Sequence, residues 1–245
     1  MFTDAPVIHL HETDSTNNYA ANLQKQSKQQ EGTVILTDIQ THGRGQRGAT
    51  WESNPGENLL CSIILYPEWL PAERTFALTK CLSLAVAACL EELSGQQAMV
   101  KWPNDIIIKG KKVSGLLVEA AWSGDICQQV IVGIGINVNQ TAFSVPHAGS
   151  LAMLTGRHVP PKDLIPGLKA HISTWYGWLK AGRYADIDLA YRQALYRLGV
   201  ASRFIYNNRE LMAMITGVDA SGRLQLYTEH GEGLSCDLRE ITMVM

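Results

Sequence analysis

The run from Asp105 to Val138 restricts the fold more than any other part of the chain. It holds three apolar, β-branched stretches, "DIIIK", "KVSGLLVEAAW" and "ICQQVIVGIGINV", parted only by Gly110-Lys111 and Ser123-Gly124-Asp125. Breaks that short make turns between antiparallel neighbours, because a parallel crossover needs a dozen or more residues. The segment therefore reads as an antiparallel meander, which excludes a chain of parallel crossovers here.

The remaining elements follow from their own signals. Asp14, Ser15 and Thr16 are N-cap candidates for a helix over "NNYAANLQKQ", and the polar "QKQSKQQEG" reads as its exposed end. "TVILTDIQ" and "NLLCSIILY" are strands, and apolar spacing of three and four predicts a helix from Glu73 to Leu93, stopped by Gly95. A helical section runs from about Lys162 to Arg197 with a break near Gly182. After Gly199 come four short strand-like runs separated by Asn207-Asn208, "DASG" and "EHGEG". That spacing reads as a small β-barrel, with a boundary near Leu198 and units of 1–197 and 198–245. Met212, Met214, Met243 and Met245 are expected in its core or at its end, and Trp175 and Trp178 in domain-packing core.

Bulk properties narrow the class. The 245 residues carry a net charge of −2, so no general attraction for nucleic acid or an anionic membrane is expected. The N-terminus lacks a basic segment before an apolar run, and "LSLAVAACL" is about half the roughly 20 residues of a membrane span. A cytoplasmic protein is expected. Its 5 cysteines are scattered without a CxxC pair, so reduced, mostly buried thiols are expected instead of a disulfide framework or thiolate zinc site.

Four polar islands carry the chemistry. Gly43-x-Gly45-x-x-Gly48 in "GRGQRGATW" matches a dinucleotide fingerprint in spacing, but "ATWESNPGENLL" follows it, and Pro55-Gly56 forbid the required helix. A phosphate loop of the GK[ST] type is absent from the sequence. The glycines still allow backbone amides near an anion, Arg44 and Arg47 can neutralise it, and Trp51 offers a face for a base. Taken alone, the loop is equally a surface segment with solvated arginines. In "KWPND", Asn104 and Asp105 are oxygen ligands suited to a hard cation such as Mg2+, or simply a turn. In "GKKVSGLLVE", Gly115 interrupts a strand where something must approach the backbone, and in "VIVGIGINVN", Gly133 and Gly135 clear one strand face, with Asn137 following on it. Four such islands together point to a nucleotide site.

"DSTN", "GRGQRGATW", "KWPND", "GKKVSGLLVE" and "VGIGINVN", in this order and at these distances, resemble the motif set of the biotin protein ligases, and the strand-rich tail is similar to that family's C-terminal SH3-like barrel. The resemblance implies an α+β fold with a mixed, largely antiparallel sheet and flanking helices, as in class II aminoacyl-tRNA synthetases, plus the barrel. It implies that biotin and MgATP give biotinoyl-5'-AMP, whose acyl group passes to a lysine of a biotin carboxyl carrier domain. By matching motif positions, Ser15, Thr16, Asn17 and Gln40 lie at the ring end of biotin, and Arg44, Gly45 and Gln46 close over the adenylate. Trp51 stacks on adenine, with Arg47, Lys101, Asn104 and Asn137 also on the nucleotide side. Lys112 contacts the carboxyl and phosphoryl oxygens. Gly115, Leu117, Gly133 and Gly135 floor the biotin slot, and Asp105 orients or deprotonates the incoming lysine.

Two departures stand out. Gln46 and Ala49 occupy loop positions where many members carry arginine, which makes this loop less basic. Only 14 residues precede Ser15, so the bifunctional members' helix-turn-helix is missing and no DNA partner is expected. A homodimer is left open. His9 and His11 alternate on an edge strand without a third ligand, which favours surface contacts over a metal site, and His42 adjoins the loop with no assigned role. A lipoate or octanoate ligase sharing the fold, and a non-catalytic adenylate binder, are the rival readings.

Overall fold

The computed structural model describes residue 2 and residues 4–244. A seven-stranded sheet is built from β1 (Val7–Thr13), β2 (Val34–Gln40), β3 (Asn58–Leu65), β4 (Ala98–Lys101), β5 (Asp105–Ile108), β6 (Lys111–Ser123) and β7 (Ile126–Asn137), in the order β1-β2-β3-β7-β6-β5-β4. The predicted meander is β5-β6-β7, and every ladder is antiparallel except β1 with β2. That exception carries a crossover helix, α1 (Thr16–Gln26), between its strands. The β5–β6 turn falls at Lys109-Gly110, one residue before the expected pair, since these two take the positive φ angles of 48° and 74°.

The two faces of the sheet are covered differently. One packs against α2 (Thr75–Ser94), α4 (Ile165–Lys180) and α5 (Tyr184–Ala194), with the short α3 (Leu151–Thr155) at its margin. Helix α2 is buried nearly all round, as a helix with apolar residues on every side must be, and Gly95 ends it in the left-handed conformation. Trp175 and Trp178 lie 4.9 Å apart on α4 against this core, with the Arg183 guanidinium over Trp178. On the other face α1 inserts Ala20 among Ile35, Ile64 and Ile131, and covers only that end. The rest of this face stays open for the site. The five cysteines are free and buried, and burial pushes the Cys61 and Cys89 thiols up to about 12.

The tail forms a second antiparallel sheet from β8 (Ser202–Tyr206), β9 (Arg209–Val218), β10 (Leu224–Thr228), β11 (Gly233–Cys236) and β12 (Ile241–Met243), ordered β11-β10-β9-β8-β12. It is an open sheet, with β11 and β12 at its edges among the described residues. Met212 and Met214 are not in its core. They alternate on the outward face of β9 at 36% and 37% exposure, because Ala213 and Ile215 take the inward positions. Met243 is half-buried, and Met245 lies outside the described residues.

The β9–β10 turn docks this sheet onto the first. Gly222 O accepts from Trp102 Nε1 at 2.9 Å, and the buried Lys80 ammonium holds Asp219 O at 3.2 Å and Asp188 Oδ1 at 2.7 Å. Gly222 has φ of +93°, and a Cβ there would lie 2.4 Å from the Phe76 ring. Gly222→Ala is expected to lower the unfolding free energy by about 1–3 kcal/mol from backbone strain alone, checked by urea denaturation.

Candidate active site

The site begins with strand register. Lys101 pairs with Asp105, Asp105 with Gly115, Gly115 with Gly135, Gly135 with Leu60 and Leu60 with Thr37. Directly paired residues share a sheet face, so this row crosses the open face from β4 to β2. The next row runs Leu117, Gly133, Ser62 and Ile35. Three glycines therefore clear a shelf between a charged end and an end where Leu60 and Ile35 alternate with the polar Thr37 and Ser62.

The missing side chains are replaced by groups from elsewhere in the chain. A Cβ on Gly135 would fall 2.4 Å from the Trp51 ring, one on Gly115 3.1 Å from it, and one on Gly133 2.6 Å from Asn17 Oδ1. Trp51 closes a small hairpin in which Arg44 pairs with Thr50 and Gly45 N donates to Ala49 O at 2.7 Å. Its tip is a single turn at Gln46–Gly48 with Arg47 at φ 57°, left-handed and exposed. The glycine loop is thus a hairpin lid, and the indole Nε1 beneath it is buried without a partner.

Below the lid, α1 contributes a polar wall. Gln40 Oε1 accepts from Thr16 N at 2.9 Å. Asn17 Oδ1 can only accept, so the Ser62 hydroxyl donates to it at 2.6 Å and meets Thr16 Oγ1 at 2.7 Å. Ser15 is the N-cap residue, yet its hydroxyl makes no capping bond. Ser62 was not singled out in the sequence, although its place between Cys61 and Ile63 on a strand puts it on this face. Glu119, also missed, takes Asn17 Nδ2 at 2.7 Å and both its oxygens accept from Arg44 Nη2. The alternation of Gly115, Leu117 and Glu119 on β6 was the signal that could have found it.

At the charged end Lys112 Nζ lies 2.7 Å from Asp105 Oδ1 and 5.5 Å from the Trp51 ring centre. Its backbone is pinned by His147 O at 2.7 Å and Gly149 N at 3.0 Å. The Trp102–Pro103 bond in the turn before β5 is cis. Asn104 is buried, and its amide braces β6 by donating to Leu116 O at 2.5 Å. Asp105 is the one carboxylate of the row, and among the described residues no group of three His, Cys, Asp or Glu side chains could hold a metal. This donor set fits Mg2+ carried in by ATP phosphates, which needs one or two protein carboxylates, and does not fit a resident ion. Asn104 lines the same cavity as Asp105 and Lys112, its Nδ2 serving as a brace on Leu116 O.

All but one of the sequence-predicted site residues line a single cavity of about 270 Å³, including Ser15, Gln40, Arg47 and Lys101. The exception is Asn137, buried at the end of β7 with Nδ2 donating to Gly149 O at 3.0 Å and Oδ1 unpartnered. The second sheet supplies a wall that the sequence did not reveal, through Phe204, Ile215, Leu224 and Met243. His42 stays outside the cavity, and His9 Nε2 bonds Asp38 at 2.8 Å on the far edge.

Burial holds the Lys101 ammonium below the ordinary lysine range, with Lys112 acting in the same direction and Asp105 opposing it. The unfolded chain then binds the proton more readily, so this cost is full below the folded value and vanishes above the unfolded one. Lys101→Met should raise the unfolding free energy by about 1 kcal/mol near neutral pH. Urea titrations at increasing pH should show that advantage over the wild type shrinking through the alkaline window.

Residues 10–137 match the Biotin/lipoate A/B protein ligase family. The chain is 32% identical over 226 residues to the bifunctional ligase/repressor BirA of Bacillus subtilis, covering 90% of this chain and 69% of that one. It is 31% identical over 229 residues to the biotin–[acetyl-CoA-carboxylase] ligase of Paracoccus denitrificans, covering 89% and 92%. Its fold is similar to that of the biotin protein ligase from Aquifex aeolicus in complex with biotin and ATP, with a TM-score of 0.81, 29% identity and 98% coverage of both chains. A glycine shelf, a cationic end and a hairpin lid thus occur in a chain that belongs to the biotin/lipoate A/B protein ligase family.

Proposed function

We propose that this chain activates biotin with ATP as biotinoyl-5'-AMP and transfers the biotinoyl group to a lysine of a biotin carboxyl carrier domain. The observation that carries the reading is the convergence of Lys101, Lys112 and Arg44 around a shelf from which side chains have been removed. A carboxylate attacking an α-phosphate brings two anions together, and fixed positive charge must meet the charge that builds there. In the first step a biotin carboxylate oxygen bonds to the α-phosphorus, and the bond to pyrophosphate breaks. In the second the lysine amine bonds to the acyl carbon, AMP departs, and the ammonium proton is lost to solvent or a nearby base. Mg2+ entering with ATP supplies further charge on the phosphates.

The roles then distribute along the row. Thr16, Asn17, Gln40 and Ser62 form the polar end that takes the biotin ring, over the Gly133 and Leu117 floor. Lys112 serves the carboxyl and phosphoryl oxygens. Trp51 presents the adenine platform, and Arg44, Gly45, Gln46 and Arg47 form the cover. Asp105 sits against Lys112 and is the register partner of Lys101, where it orients or deprotonates the incoming lysine. Residues 198–245 are read as an SH3-like barrel module and 1–197 as the catalytic unit, the strand number and open ladder of the second sheet being compatible with such a module. The setting we infer is the cytoplasm, without a DNA partner; among the described residues no helix is long and apolar enough to cross a membrane.

Pyrophosphate release from ATP, measured with biotin, lipoate or octanoate as the sole acid, tests the assignment. Release with biotin alone is expected, and biotin-independent turnover would overturn it. Lys112→Met should cut biotin-dependent release by about 100-fold or more, in line with the loss of one transition-state donor. Arg44→Ala should retain the fold and release free biotinoyl-AMP, separable by chromatography; retention equal to wild type would remove Arg44 from the cover.

A further inference from the structure

A carboxylate beside an anion site weakens binding of every ligand oxygen that enters, unless it has work of its own. Glu119 is such a group. It projects from β6 on the site's face, one alternation beyond Leu117, with its side chain 43% exposed. Both its oxygens are taken by Arg44 Nη2, and one also takes the Asn17 amide at 2.7 Å. Arg44 stands at the base of the hairpin lid, and Asn17 belongs to the polar wall with Ser62, Thr16 and Gln40. Glu119 is therefore where lid and wall meet.

The strength of this contact is suited to exchange. Arg44 and Glu119 are each more than two-fifths exposed, and pairs so exposed are weak enough for another anion to displace. A guanidinium prefers a bidentate partner, and a carboxylate or phosphate in the cavity offers one. We propose that Glu119 is a positioning residue for the lid: it holds Arg44 at the cavity rim while no anion is bound, and yields it to the acyl-adenylate. The identity of that anion rests on the adenylation reading above. The holding contact itself exists without ligand and can be measured without it.

Limited trypsin digestion of the ligand-free protein, following cleavage at Arg47-Gly48 by mass, reads the lid directly. Glu119→Gln keeps an acceptor for Asn17 and removes the charge that holds Arg44. It should speed cleavage about two- to fivefold, the factor a pair of this exposure supplies. Arg44→Ala should do the same, and the double variant should be cut no faster than either single one. Cleavage of Glu119→Gln at the wild-type rate, or single effects that multiply in the double variant, would overturn the proposal. In turnover assays Glu119→Gln should lower KM for ATP, whereas Glu119→Asp, which keeps the charge, should stay near wild type; a raised KM in Glu119→Gln would also overturn it. If biotin with ATP fails to protect the tip in any variant, the adenylation reading fails and the ligand-free comparison still stands.

Discussion

Everything in the site depends on three absent side chains. Gly115, Gly133 and Gly135 face the same way on two neighbouring strands, and a Cβ at Gly135 or Gly133 would come within 2.4 or 2.6 Å of Trp51 or Asn17. A sheet face would ordinarily be filled by its own residues. Here it is filled by a residue from the hairpin lid and one from helix α1. The shelf thereby couples three distant segments, and the strands themselves lose packing where the glycines sit. That loss is the stability cost of a floor on which a flat ligand can lie.

Charge is organised on the same lattice. Lys101, Asp105 and Gly115 are consecutive partners across β4, β5 and β6, so the cationic end is continuous with the shelf instead of being borrowed from flexible loops. Asp105 and Lys112 neutralise each other in the absence of ligand, as do Glu119 and Arg44. Two of the cations that line the cavity are thus each oriented by a carboxylate. Charge at the cavity is thereby arranged before a ligand enters.

The sequence made the meander, the long helix and the glycine shelf with its flanking residues legible, because short turns, apolar spacing and glycines at alternate strand positions are local signals. What it concealed depended on distance. The parallel β1–β2 pair joins strands on either side of a helix, and their pairing is set by packing and not by any turn. Met212 and Met214 looked like core because they are apolar, yet Ala213 and Ile215 hold the inward positions of β9. Asn137 shares the face of Gly133 and Gly135 but lies past the end of the cavity, where Gly149 takes its amide. Glu119 escaped notice because a carboxylate beside an anion site makes sense only once its arginine is located.

The docking of the β9–β10 turn reaches beyond stability. Trp102, which holds Gly222 O, lies in the turn that leads into Asp105, and the second sheet walls the same cavity through Phe204 and Ile215. Water destroys a mixed anhydride, and with a wall made by a separate sheet the enclosure of this cavity rests on how that sheet is docked as well as on the hairpin above it.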